Sequence, residues 1–388
     1  MAESRVKSKM FQPKAGRPRA EKIKKPAKKA VKKVVKKKVV PKKKVLTTKK
    51  SSPLQLVRHH SNPVLTPRSD YHFEARATFN PSAVLADGKI HLLYRAVGHD
   101  DVSRIGYASS SDGFSIDYRH SEPVYNPSLA KRNMRMPKIA YASGGGTAGG
   151  CEDPRLTELE GRIYMIYTAF DGWSSLRLAI TSIAKEDFLA KHWNWRKPVL
   201  ISPPGQIQKC WTLFPEKING KYAILTGVSP EVQVTYLNSL DELDGKHFIT
   251  SKIPVSNPKD KRWDNWMRGV GPSPIKTKLG WLILYHAMDL RDPNRYKMGA
   301  MILDSNNPTK IVYRSKEPIL EPDMEYENLG FKAGVVYSCG AVVKDKYLIV
   351  YYGGADTVVC VAVADYGKFI KEIAEHKPTT LKLPRRKK

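Results

Sequence analysis

Apolar and polar positions in the body of this chain alternate with the two-residue period of strands far more than with the 3.6-residue period of helices. Five stretches share one design: residues 87–94, 160–167, 219–225, 279–285 and 344–352. Each is a tight turn followed by an apolar, β-branched or aromatic run. Pairs such as Asp87-Gly88 and Asn219-Gly220 suit the positive φ angles of a two-residue hairpin turn. A second strand-like run follows each, at residues 105–113, 178–182, 234–239, 298–304 and 359–365. The best helical candidate is short, around residues 184–192. Turns that recur every about 60–73 residues, with roughly four strands per copy, predict an all-β fold, a five-bladed β-propeller. Two β-sandwiches would also be all-β, but they do not demand that period.

In a propeller the first strand of each blade lines a central channel, so residues just before each hairpin turn should converge there. Those stretches are Phe79–Pro81, Glu152–Arg155, Trp211–Pro215, Gly271–Pro274 and Ser338–Gly340. Asn80 and Asp153 each lie 14 residues before a strand tyrosine, Tyr94 and Tyr167, and should hold matching places. Glycosidic cleavage needs a proton for the leaving oxygen and usually a second carboxylate as nucleophile or base. Asp153 is the candidate acid. Arg155 beside it serves equally well as a structural partner that closes the loop. Asn80 stands where invertase- and arabinanase-like propellers place an Asp, so the nucleophile is expected from outside the chain. Phosphate would serve, because it needs no general base at neutral pH, but it requires cations around it. Arg95 directly after Tyr94, His286 directly after Tyr285, and Lys209 ahead of the third hairpin offer a shared anion pocket. Taken singly, each reads equally as a surface or salt-bridge residue.

Charge divides the chain. The formal net charge is +30, and residues 1–50 hold 21 Lys and Arg against 2 Glu, a local +19; the other 338 residues carry +11. This predicts a disordered Lys-rich tail over 1–55, a catalytic propeller over 56–375 and a short basic tail over 376–388. Lysine-rich arms bind nucleic acid and other polyanions by counterion release, without reading sequence. Within the first tail, Pro13–Arg19 resembles an AT-hook, whose Gly-Arg-Pro core enters the minor groove; a solvated tail without a specific partner is the plainer alternative. No 18-residue apolar run and no secretory pattern is seen, which points to a cytoplasmic protein that does not engage membranes. Cys151, Cys210, Cys339 and Cys360 lie too far apart for a disulfide framework or a metal site.

Several motifs taken in order resemble glycoside hydrolase family 130, the β-mannoside phosphorylases and β-mannosidases. They are Phe79–Ala83, Leu92–Ala96, Ser103–Ala108, Glu152–Arg155, Leu213–Ile218, Gly280–His286 and Tyr352–Asp356, and the resemblance covers about residues 60–370. It implies a five-bladed propeller and inversion, with Asp153 as general acid and the proton relayed through a sugar hydroxyl. It also implies phosphate held by Arg95, Lys209, His286 and Tyr296, and sugar contacts from Asn80, Arg104, Arg155, Tyr285 and Asp356. A further cation is implied near Thr226-Gly227, where this chain has none. If water replaces phosphate, a base is needed, and Glu325 or Glu327 are the candidates; both also read as residues of a solvated loop. The expected activity is phosphorolysis of β-mannosyl oligosaccharides to mannose 1-phosphate, with inorganic phosphate as co-substrate and no other cofactor or metal. The alternatives are hydrolysis by water and a carbohydrate-binding propeller without turnover.

Overall fold

The computed structural model describes residues 54–126, 149–170 and 176–375. The tails at 1–53 and 376–388, including Pro13–Arg19, lie outside the described residues. Leu54 and Leu56 already pack on the core, so the body reaches slightly further back than residue 56.

Described elements follow in chain order. A short strand β1 (Val57–Arg58) comes first. Next are β2 (Ala77–Ala86), β3 (Lys89–Val97), β4 (Val102–Ser110) and β5 (Tyr118–Arg119). The second group is β6 (Gly149–Leu159), β7 (Arg162–Phe170), β8 (Leu176–Ala184), helix α1 (Lys185–Ala190) and β9 (Val199–Leu200). The third is β10 (Thr212–Leu213), β11 (Tyr222–Gly227) and β12 (Gln233–Leu237). The fourth is β13 (Trp266–Val270), β14 (Ile275–Thr277), β15 (Gly280–Asp289), β16 (Asp292–Leu303) and β17 (Ile311–Arg314). Helix α2 (Glu325–Asn328) leads to β18 (Val336–Lys344), β19 (Tyr347–Gly354), β20 (Val358–Asp365) and α3 (Tyr366–Glu375). The protein is thus mainly β, as the alternation predicts.

Within each group the strands pair antiparallel in sequence order, except that β13 and β14 both pair with β15. The hairpin turns form where the Asp-Gly and Asn-Gly pairs stand. Asp87 and Gly88 have φ of 48° and 70°, and Asn219 and Gly220 have 52° and 78°. These angles match the strand twist, and Asn, Asp and Gly adopt them at least cost. The short helix expected near 184–192 is α1, stopped by Lys191 in a left-handed conformation. The first strand, β1, pairs with the last, β20, through Val57↔Val363 and Arg58↔Ala362.

The core lies between consecutive groups rather than within one. One cluster joins Leu93 and Ile105 of the first group to Ile163 and Met165 of the second. Another joins Ile166 and Leu178 to Leu213 and Ile224. Leu225 meets Ile283, and Leu284 meets Val350. A further cluster sets Leu92 and Tyr94 of the first group against Ile349 and Val361 of the last. Each sheet therefore buries both faces against its neighbours, and burial couples the groups together.

The strand tyrosines anchor this packing by a recurring device. Tyr94 donates to Glu74 at 2.7 Å, and Glu74 pairs with Arg119 at 2.8 Å. Tyr285 donates to Asp264 at 2.5 Å, and Asp264 pairs with Arg314 at 2.6 Å. Tyr352 donates to Glu327 at 2.7 Å, and Glu327 pairs with Arg58 at 2.7 Å. Each buried acid is held by a phenol and a guanidinium, which answers the cost of burying its charge. A glycine on the adjacent strand makes room for the ring. A Cβ at Gly106 or Gly299 would stand 2.4 Å from the ring of Tyr94 or Tyr285.

Candidate active site

The first long strand of four groups breaks register. Bulges interrupt β2 between Phe79 and Ser82, β6 between Glu152 and Arg155, β13 between Met267 and Gly269, and β18 between Tyr337 and Gly340. Two of these bulges carry an acid or amide followed by proline. Asn80 and Asp153 are left-handed, with φ of 48° and 52°, a conformation that Asn and Asp tolerate better than most residues. Pro81 and Pro154 have no N–H to place in the ladder, which suits a bulge. The matching places expected of Asn80 and Asp153 are thus realised. The two side chains meet, Asn80 Nδ2 donating to Asp153 Oδ1 at 2.8 Å. A Cβ at Gly353 would come within 2.3 Å of Asn80 Oδ1, so the glycine lets the amide lie there.

These residues line a cavity of about 250 Å³. Of the residues singled out from sequence, it gathers Asn80, Arg95, Asp153, Lys209, Tyr296 and Asp356. Arg95 is fully buried; it donates to Ser103 Oγ at 2.9 Å, pairs with Glu152 at 2.9 Å and reaches Asp153 at 3.5 Å. Lys209 approaches the other oxygen of Glu152 at 3.6 Å. Burial pushes the Asp153 carboxyl up, but the positive fields of Arg95, Lys209 and Arg155 and the Asn80 hydrogen bond outweigh it, and its pKa falls below the ordinary value. Asp356 behaves oppositely. It is left-handed in the β19–β20 turn, and burial raises its carboxyl to about 6 against the pull of Lys332 and Arg95. Asn80 Oδ1 is buried with no hydrogen-bond partner among the described residues, which leaves an acceptor for a ligand hydroxyl.

Two cations in the cavity are absent from the sequence reading. Arg268 donates from Nε to Tyr296 Oη at 2.9 Å, and Lys332 Nζ lies 4.6 Å from the centre of the Tyr296 ring. Neither has a carboxylate at ion-pair distance among the described residues. Arg268 escapes the sequence reading because the 14-residue offset lands on Gly271. The cavity residue lies 17 residues before Tyr285 instead. The bulge between Met267 and Gly269 carries Arg268 inward. Lys332 sits between α2 and β18, where no periodic pattern points to it.

Other residues fall outside the lining. Arg104 pairs with Asp100 at 2.6 Å and borders a separate hollow with Tyr71 and Glu122. Arg155 takes the structural alternative. It donates to the carbonyls of Asp153, Val270 and Gly271 at 2.9–3.1 Å and to Tyr337 Oη at 3.1 Å. Tyr285 is committed to Asp264. His286 follows its tyrosine as Arg95 does, but it is shorter, and the Tyr337 ring stacks on it at 4.0 Å. Its Nε2 accepts from the Ser338 N–H at 2.9 Å. Burial, with Arg155 nearby, pushes its pKa down to about 3, so the ring is neutral and no cation for an anion. Glu325 is exposed, and Glu327 is enclosed by Arg58, Tyr352 and the backbone of Asp323 and Met324. Neither glutamate faces the cavity.

The chain as a whole matches a recognised class of carbohydrate-active proteins. The family model for glycoside hydrolase family 130, described as beta-1,4-mannooligosaccharide phosphorylase, matches residues 48–375. The chain is 36% identical over 320 residues to a 1,2-beta-oligomannan phosphorylase of Thermoanaerobacter sp. (strain X514), covering 80% of this chain and 98% of that one. A beta-1,2-mannobiose phosphorylase of the same organism is 34% identical, covering 81% and 98%. Among solved structures, the beta-1,2-mannobiose phosphorylase of Listeria innocua in complex with beta-1,2-mannobiose superposes with a TM-score of 0.62 at 25% identity, covering 83% of this chain and 99% of that one. The chain belongs to glycoside hydrolase family 130.

Proposed function

We propose that this chain phosphorolyses β-mannosides with inversion, releasing mannose 1-phosphate, and that residues 56–375 form one five-bladed propeller whose inner strands meet at the cavity. The pairing of β1 with β20 and the packing of the first group on the last support the ring. Its phosphorylase relatives support the reaction class.

The observation that carries phosphorolysis over hydrolysis is the placement of Arg268 and Lys332 about Tyr296, neither in direct ion-pair contact with an acid among the described residues. Half-buried cations that converge on one cavity favour an anion there. They take the place of the cation missing near Thr226-Gly227, and they supply the charge that His286 does not. The glutamates that could have activated water face elsewhere.

In this reading a phosphate oxygen attacks C1 of the mannosyl unit as the C1–O bond to the leaving sugar breaks. The proton of Asp153 ends on the departing oxygen, relayed by a sugar hydroxyl as in the family. Without ligand, Asp153 is held as a carboxylate by its cations. An arriving phosphate brings its own negative charge into the cavity, which raises the Asp153 pKa towards the protonated form. Asn80 and Asp356 orient the mannosyl hydroxyls. The test is incubation with β-1,2- and β-1,4-mannobiose with and without phosphate. Mannose 1-phosphate formed only with phosphate is expected; phosphate-independent release of free mannose would assign hydrolysis instead.

A further inference from the structure

The cavity is chemically divided. Its unpaired cations come from the fourth and fifth groups, whereas the second and third bring an aliphatic cluster, Leu176, Ile207, Ile253 and Pro254, bordered by Gln208, Lys209 and Cys210. Ile207 and Ile253 are 52% and 55% exposed, among the most exposed large apolar side chains of the described residues. Leaving two such side chains in water at a polar cavity has an unfavourable hydration cost, unless a ligand covers them.

Their positions are set, not incidental. Buried Gln208 holds the segments together: its backbone N–H donates to Leu176 O at 3.4 Å and its side-chain amide to Ser251 O at 2.8 Å. Ser229 Oγ fixes the same segment further on, donating to Val255 O at 3.3 Å. The three stretches therefore stand as one wall, and Lys209, next to Gln208, turns towards Glu152 beside the catalytic acid.

We infer that this aliphatic wall receives the leaving saccharide, packing against the C–H face of the sugar unit that departs from the mannosyl group. The inference rests on the phosphorolysis reading. Phosphate is drawn to the cations, and the mannosyl hydroxyls need the polar atoms of Asn80 and Asp356. A neutral saccharide, with a C–H-rich face and hydroxyls at its rim, is the partner that suits an aliphatic cluster bordered by polar side chains. Because the wall is aliphatic rather than aromatic, it grips the leaving sugar weakly and releases it readily.

The test uses Ile207→Ser/Ile253→Ser, both exposed positions where folding should be unaffected, in the full chain. In the synthetic direction, with mannose 1-phosphate and mannose as acceptor, KM for the acceptor should rise about tenfold, the scale of losing apolar cover. KM for mannose 1-phosphate should stay unchanged, as should KM for phosphate in the forward direction. Unchanged acceptor KM, or an equal rise for phosphate, overturns the wall. Calorimetric titration with β-1,2-mannobiose separates this from failure of the activity itself. A wild type that binds the disaccharide but makes no mannose 1-phosphate fails the reaction reading, whereas equal affinity of wild type and variant fails the wall.

Discussion

At the scale of single residues, two aspartates with opposite shifts share one cavity. Asp153 lies below the ordinary carboxyl range because cations surround it, and Asp356 is raised to about 6 because burial dominates. Asp153→Asn keeps the shape but has no proton to give, so turnover should fall by about 10²–10⁴-fold while saccharide binding persists; steady-state kinetics and calorimetry check both. For Asp356, the folded protein holds a proton between about pH 4 and pH 6 that the unfolded chain has lost, so its contribution to stability declines as pH rises through that window. The melting temperature of Asp356→Asn relative to wild type should therefore climb from about pH 4 to pH 7 and then level off. A difference constant with pH would show that Asp356 does not titrate there.

Elements impose the next constraint. The tyrosine, acid and arginine sets that lock Tyr94, Tyr285 and Tyr352 leave Glu327 engaged by Tyr352 and Arg58, away from the cavity. Glu327→Gln should destabilise by about 3 kcal/mol, because it strands Arg58, while kcat of the folded protein stays within about twofold. Denaturant unfolding and kinetics on one preparation separate the two effects. Gly106→Ala presses a methyl group into the Tyr94 ring and should cost about 1–3 kcal/mol in the same unfolding assay. The hairpins behind these contacts were legible from alternation and turn residues, since both are local. The bulge in β13 between Met267 and Gly269 was not, and the cavity residue of the fourth group is Arg268 rather than Gly271.

For the whole molecule, Val57 and Arg58, near the start of the described body, belong to the last sheet, and the last group packs on the first. Arg58 also pairs with Glu327. Deleting residues 1–50 should leave the melting temperature unchanged, whereas deleting 1–60 should cost about 3 kcal/mol or more. Calorimetric melting of the two truncations decides this. In the proposed reaction phosphate affinity belongs to this scale too, because Arg268 and Lys332 come from distant segments. Arg268→Met/Lys332→Met should raise KM for phosphate at least about tenfold and leave mannobiose binding intact; a parallel loss of both would place these cations elsewhere in the reaction.

What the sequence determined by itself was local and periodic: turns that only Gly, Asn and Asp adopt easily, strands that alternate, and an Asn-Pro and an Asp-Pro at equal distance from a tyrosine. These were enough to place Asn80, Asp153 and Arg95 together. Tertiary structure alone decided which charges are available at the cavity. His286 and Arg95 hold equivalent strand positions, yet Tyr337 covers one while the other reaches Asp153. Arg155 and Glu327 are charged residues beside catalytic-looking motifs, yet backbone carbonyls and Arg58 engage them. Lys332, in no pattern at all, joins Arg268 around Tyr296. Whether a charged group is free to act depends on the partners that burial brings to it, and those partners come from far along the chain.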